Sequence, residues 1–236
     1  MNPELTIVIP TKNEEKLIGT LLASLLEQDY PPIRTTKIYV ADISTDRTKE
    51  IAKSFADHLN IEVIEGGPVA IARNNGAARA KSEFVLFLDG DMDLGKKDII
   101  KNAVAIAQKK QLDCVGAYVQ CKNGNILDGF LYGVSNGIQF LSKFISPFAT
   151  GMFMLFRKSA FDALGGFDTK TLFGEDYILS SKVPPKKFDM KGCVLTTNRR
   201  FKKIGYWNMI RMMFLNVIHF KDKNYISSRD YKNYWE

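Results

Sequence analysis

Three aspartates follow a run of five apolar residues. Phe84-Val85-Leu86-Phe87-Leu88 gives way at once to Asp89-Gly90-Asp91-Met92-Asp93. Carboxylates at that spacing can offer oxygen to a hard divalent cation, leaving its remaining positions to a phosphorylated substrate. A solvated turn uses the same residue types for backbone reasons, so taken alone the run leaves both readings open. Two further acidic positions bear on the choice: Asp42, which ends the run Lys37–Ala41, and the pair Glu175-Asp176. A pair of carboxylates at a helix start is also a favourable partner of the helix dipole and need do nothing more.

The elements that would position these groups are readable from periodicity. Leu5–Pro10 is a short β-branched run stopped by proline, and Leu17, Ile18, Leu21, Leu22, Leu25 and Leu26 form a helical stripe that ends before Pro31-Pro32. Strand and helix then alternate. Lys37–Ala41 is a strand, Ser44-Thr45-Asp46 caps a helix carrying Ile51, Ala52, Phe55 and Leu59, and Ile61–Ile64 is a third strand. Val69–Ala80 reads as a helix, Phe84–Leu88 as a strand buried on both faces, and Ile99–Ala107 as a helix before a strand near Cys114–Val119. This succession predicts an α/β fold, with a mostly parallel sheet and helices on both faces, whose strand ends converge on one crevice.

The second half is less regular. Asn125–Phe144, with glycines at 129, 133 and 137, reads as a helix and a mobile connection. Gly151–Arg157 reads as a strand, Lys158–Leu164 as a short helix, and Gly165-Gly166-Phe167-Asp168 as a turn. Glu175-Asp176 opens a helix ended by Pro184-Pro185, and Gly192–Thr197 is a last strand. The basic piece Asn198–Lys203 and an amphipathic helix from Tyr206 to Phe220 follow. No repeat or linker divides the chain, so one domain is expected over 1–205, with the helix and a polar tail over 206–236.

Composition narrows the class. With 45% hydrophobic and 25% charged residues over 236 positions the chain can bury a core, and its formal charge of +7 favours anionic partners without choosing among them. Cys114, Cys121 and Cys193 are odd in number and widely spaced, as expected of reduced thiols in the cytoplasm. MNPELTIVIP lacks the pattern of a signal peptide, and no uninterrupted apolar run reaches the ~18 residues of a spanning helix. His58 and His219 read as surface or packing residues.

Beyond these elements, a set of motifs occurs in a recognisable order. Pro10-Thr11-Lys12-Asn13-Glu14-Glu15 comes first, then Val40-Ala41-Asp42-Ile43-Ser44-Thr45-Asp46-Arg47-Thr48 and Ala72-Arg73-Asn74-Asn75-Gly76. Leu88-Asp89-Gly90-Asp91, Gly165-Gly166-Phe167-Asp168 and Glu175-Asp176 complete the series. In order and spacing they resemble the motifs of glycosyltransferase family 2 over about the first 200 residues.

The resemblance implies a GT-A (Rossmann-like) fold and an inverting transfer of a sugar from a nucleotide diphosphate sugar to a hydroxyl acceptor, either a saccharide or a lipid-linked one. Carried over by position, Pro10, Lys12 and Glu14 lie beside the base and ribose, and Asp42 hydrogen-bonds the base. Arg73 approaches the nucleotide and diphosphate, Asp89 and Gly90 lie near the ribose and sugar, and Asp91 holds Mn²⁺ or Mg²⁺. Asp176, or its neighbour Glu175, is the catalytic base, and Arg199 closes over the diphosphate or belongs to a solvated basic surface. Lys12 stands where many members have an aromatic residue and Ala41 where many have a second aspartate, so the base of the donor stays open. A Gln-x-x-Arg-Trp motif is absent, which implies one sugar per encounter.

The helix after Tyr206 gathers Met209, Ile210, Met213, Phe214, Val217 and Ile218 on one side, with Arg211, Asn216, Lys221 and Lys223 off it. It suits either a peripheral contact with the inner face of the cell membrane or packing on the domain. Nucleic acid is not expected as a partner. Two other functions share the acidic cluster and parallel sheet: a sugar-phosphate nucleotidyltransferase and an inactive nucleotide-sugar binding protein. The first usually carries a glycine-rich phosphate loop after the first strand, and PTKNEE has no glycine.

Overall fold

The computed structural model describes residues 5–171 and 174–219. Its elements are β1 Leu5–Thr11, α1 Ile18–Leu26, β2 Lys37–Asp42, α2 Thr48–Ser54, β3 Ile61–Glu65, α3 Val69–Arg79, β4 Phe84–Leu88 and α4 Ile99–Lys109. There follow β5 Cys114–Cys121, α5 Ile126–Ser142, β6 Phe153–Arg157, α6 Lys158–Ala163, α7 Glu175–Ser180, β7 Phe188–Thr196, α8 Arg199–Ile204 and α9 Tyr206–Ile218. Met213, Asn216 and Val217 have side chains outside the described residues, as do Phe220, Lys221 and Lys223 entirely.

Among the described residues, one sheet runs in the order β3-β2-β1-β4-β6-β5-β7. β3, β2, β1 and β4 pair in parallel, β6 runs antiparallel to both β4 and β5, and β5 pairs β7 in parallel. The chain goes out from β1 through β2 to β3, then returns to the other side of β1 as β4, so the order reverses between β1 and β4. That reversal opens the crevice in which such sheets bind ligands.

Strand alternation sends side chains to two cores. Ile7, Ile9, Leu86 and Leu88 face α1 and α4, while Val8, Val85 and Phe87 face α3, α6 and α7. All of β4 is buried, as its unbroken apolar run requires. α3 lies so close to β1 that a Cβ on Gly76 would stand 2.4 Å from a methyl of Val8. The alanine-rich composition of α3 follows from that close packing.

Two elements differ from the sequence reading. Asn125–Phe144 is not a helix plus a mobile connection but one 17-residue helix, α5. It is started by a capping box in which the Asn125 side chain accepts from the Asp128 N–H at 2.9 Å and Asp128 accepts from the Asn125 N–H at 2.8 Å. Asp128 also accepts from Asn198 and Tyr206, both at 2.8 Å, and so ties α5 to the start of α8 and α9. The last strand begins at Phe188, not at Gly192. Gly192 has φ +80 and the register with β5 shifts between Gly116 and Tyr118, which breaks the alternation a reader would follow.

Candidate active site at the β1–β4 crevice

β4 delivers Asp89 to the crevice, and α3 delivers Arg73 from below. Arg73 is 1% exposed and its guanidinium donates to Asp89 and to Glu175, each at 2.6 Å. Its ring-facing side lies 5.1 Å from the centroid of Phe167, which the turn Gly165-Gly166 brings in. Asn74, the next residue, clamps that turn by donating to the Phe167 carbonyl at 2.8 Å and accepting from its N–H at 3.0 Å. Two motifs 93 residues apart are thus joined by one amide side chain.

Asp176 sits beside this network. Its two oxygens accept from the N–H of Gly151 at 2.8 Å and from its own neighbour Tyr177 at 2.7 Å. Glu175 is 3% exposed, whereas Asp176 is half-buried. Gly151 also makes room: a Cβ there would stand 2.1 Å from an Arg73 nitrogen. In the sequence Gly151 reads only as a strand start, because the close approach of a backbone to a distant side chain leaves no periodic trace.

Asp89, Glu175 and Asp176 outnumber the single Arg73, with Glu175 buried and the other two half-buried. Burial pushes Glu175 up to about 7, aided by the nearby Asp176 and opposed by Arg73. Burial also raises Asp176, with Arg73 pulling the other way. A proton is therefore easily held in this pair.

A second cluster forms on the other side of Asp89. Arg199, at the start of α8, donates to the two oxygens of Glu14 at 2.7 and 2.9 Å and to Asp91 at 3.2 Å. Burial raises Asp91, and Asp89 adds to the rise while Arg200 and Arg199 oppose it. Burial raises Glu14 as well, opposed first by its bond to Arg199. The piece Asn198–Lys203 is thus no simple solvated surface, since its arginine closes onto the β1 and β4 loops. Among the described residues no group of three His, Cys, Asp or Glu side chains gathers as a metal site.

The other expected positions fall around the rim. Asp42 accepts from Thr11 at 2.8 Å and Ser44 at 2.6 Å, which fixes it at the end of β2. Lys12 is exposed and Pro10 half-buried at the end of β1, and Gly90 is packed against Thr11. Asp93 accepts from the Gly95 N–H at 2.9 Å, pairs with Lys122 and bridges Leu195, so it belongs to the turn.

Residues 6–165 match the family model described as glycosyl transferase family 2. The chain belongs to this family. As a glycosyltransferase it is similar to the poly(ribitol-phosphate) beta-N-acetylglucosaminyltransferase TarS of Staphylococcus aureus, 36% identical over 124 residues. That stretch covers 50% of this chain but 21% of the relative, so the chain spans about a fifth of the curated relative. The fold is that of TarS residues 1–349 in complex with UDP-GlcNAc, with a TM-score of 0.64 at 22% identity over 83% of this chain and 59% of that one. It is also that of a mannosyltransferase from Pyrobaculum calidifontis in complex with GDP-Man and Mn²⁺, with a TM-score of 0.72 at 22% identity over 94% and 65%. The glycosyltransferase sheet is GT-A in architecture, as the motif order implied.

Proposed function

We propose that this family 2 glycosyltransferase moves one sugar at a time, with inversion, from a nucleotide diphosphate sugar to a hydroxyl of a saccharide or lipid-linked acceptor, at the cytoplasmic face of a membrane. The observation that carries the reading is the gathering of Asp89, Asp91, Arg73, Glu175 and Asp176 at the carboxyl end of β4, in a chain whose family relatives are sugar transferases.

Mn²⁺ or Mg²⁺ fits at Asp91. Magnesium-type sites take one or two protein carboxylates and leave the rest to substrate phosphate. The Arg199 guanidinium already lies between Asp91 and Glu14, so this is a place that draws positive charge. Bound there, the cation would supply Lewis-acid neutralisation of a departing diphosphate. The mannosyltransferase of the same fold with GDP-Man and Mn²⁺ supports this assignment.

The chain's own groups do the rest. Asp42 receives the nucleobase at the end of β2, and the Pro10–Glu14 loop and Gly90 line the ribose side. Arg73 holds Asp89 in place and adds positive charge beneath the diphosphate. Asp176 takes the proton from the attacking hydroxyl, and its raised affinity for a proton suits it to that role. One base facing the leaving group across the sugar gives inversion, and no covalent nucleophile is assigned. The test is nucleoside diphosphate release from a panel of nucleotide sugars with Mn²⁺ and hydroxyl acceptors. Acceptor-dependent release with an inverted anomeric product is expected; no release from any donor overturns the reading.

A further inference from the structure

α5 is built inside out. Its polar side chains face the protein: Asp128 and Gln139 are fully buried, and Asn136 bonds both the N–H and the C=O of Val119 in β5, at 3.0 and 2.8 Å. Apart from Leu131 and Tyr132, which pack inward, its large apolar side chains face out, with Ile126 95%, Phe130 64% and Leu141 65% exposed, and Phe144 just past its end is 63% exposed. A water-facing helix shows the opposite arrangement. α9 packs beside it through Leu131, Phe201 and Met209 and presents Trp207, Ile210, Phe214 and Ile218 outward. Among the described residues, every large apolar side chain that is exposed, apart from Ile43, lies in 126–145 or 207–218. A patch so segregated marks a contact surface.

Charge selects what covers it. Residues 126–145 and 199–218 contain Lys143, Arg199, Arg200, Lys202, Lys203 and Arg211, and their one acidic residue is the buried Asp128; of the cations, Lys143 pairs with Asp189 and Arg199 with Glu14 and Asp91. Lys202, Lys203 and Arg211 are exposed. A second copy would bring cation to cation. An anionic bilayer would take the aromatic side chains into its interface and the basic ones among its headgroups. No helix of the described residues is long and apolar enough to cross a membrane, so the contact would lie on the surface rather than span it.

We propose that the outer faces of α5 and α9 form one docking surface for an anionic lipid bilayer. The surface follows from exposure and charge alone. Its use, bringing a lipid-linked hydroxyl to the crevice that α8 borders through Arg199, rests on the transfer reading. Each helix contributes its own part: apolar insertion from α5, aromatic contact and Arg211 from α9, and the cations Lys202 and Lys203 from α8.

The test is co-sedimentation of the full chain with phosphatidylcholine vesicles, with and without about a third phosphatidylglycerol, and with no donor present, so that its failure is separate from failure of transfer. Binding to the anionic vesicles is expected to exceed binding to neutral ones at least tenfold. F130S/F144S and K202E/K203E/R211E should each lose about tenfold with melting temperature and soluble-acceptor turnover unchanged. Equal binding to both vesicle types, no binding, or binding unmoved by both variants overturns the proposal. So does a concentration-dependent dimer that F130S/F144S abolishes in the absence of vesicle binding.

Discussion

Arg73 holds Glu175 at 2.6 Å across 102 residues of chain, in the least exposed part of the crevice. This pair separates the roles of two adjacent carboxylates. Glu175 is committed to the guanidinium, while Asp176 is held by two backbone N–H groups and is half-buried. Asp176→Asn is expected to keep donor affinity and lose about 10²–10⁴ of turnover, the usual worth of a general base. Donor titration and turnover on one preparation check this. Near wild-type turnover in Asp176→Asn, with loss confined to Glu175→Gln, would move the base to the neighbour.

The same burial gives a pH signature. Glu175 sits near 7 when folded against an ordinary 4.5, so between those values the folded state holds more protons than the unfolded one. Stability therefore falls as pH rises through that window, on the order of a few kcal/mol for a buried group. Chemical denaturation at a series of pH values should show this decline, and Glu175→Gln should flatten it.

Gly151 offers a packing test. An alanine there meets Arg73 at 2.1 Å, whereas one at Gly129 meets nothing within 4 Å. Gly151→Ala is expected to destabilise by about 1–3 kcal/mol, the range of overpacking. Gly129→Ala, in an exposed helix, should be neutral or stabilise by about 0.5–1 kcal/mol. Thermal melts of the two variants decide it, and an unchanged Gly151→Ala would mean the guanidinium can move aside.

Arg199 occupies the side of Asp91 on which a cation is proposed. Arg199→Ala removes the positive charge between Asp91 and Glu14, so Mn²⁺ alone should bind several-fold more tightly. Spectroscopic titration of free Mn²⁺ measures this, and an affinity that is unchanged or weaker counts against a shared seat.

Much of the arrangement around the crevice is legible in the sequence. β1 announces itself as a β-branched run stopped by proline and β2 and β4 as apolar runs ending in aspartate, and the convergence of strand ends leads one to expect Asp42, Asp89, Asp91 and Glu175-Asp176 around one crevice. What could not be read was contact between distant residues. Nothing local tells that Asn74 clamps Phe167, that Gly151 yields to Arg73, or that Arg199 reaches Glu14. α5 was under-read for a different reason. Its three glycines argue against a helix, and its apolar residues lie on the outer face, where periodicity gives no sign of which side the protein occupies.

In the proposed reaction Asp91 couples donor binding to a divalent cation. Calorimetric titration of nucleotide diphosphate sugars into the protein, with Mn²⁺ and then with chelator, tests it most directly. Binding of at least one donor that needs Mn²⁺, and that Asp91→Asn abolishes, is the predicted result. Donor binding of equal strength with chelator, or in Asp91→Asn, would contradict it.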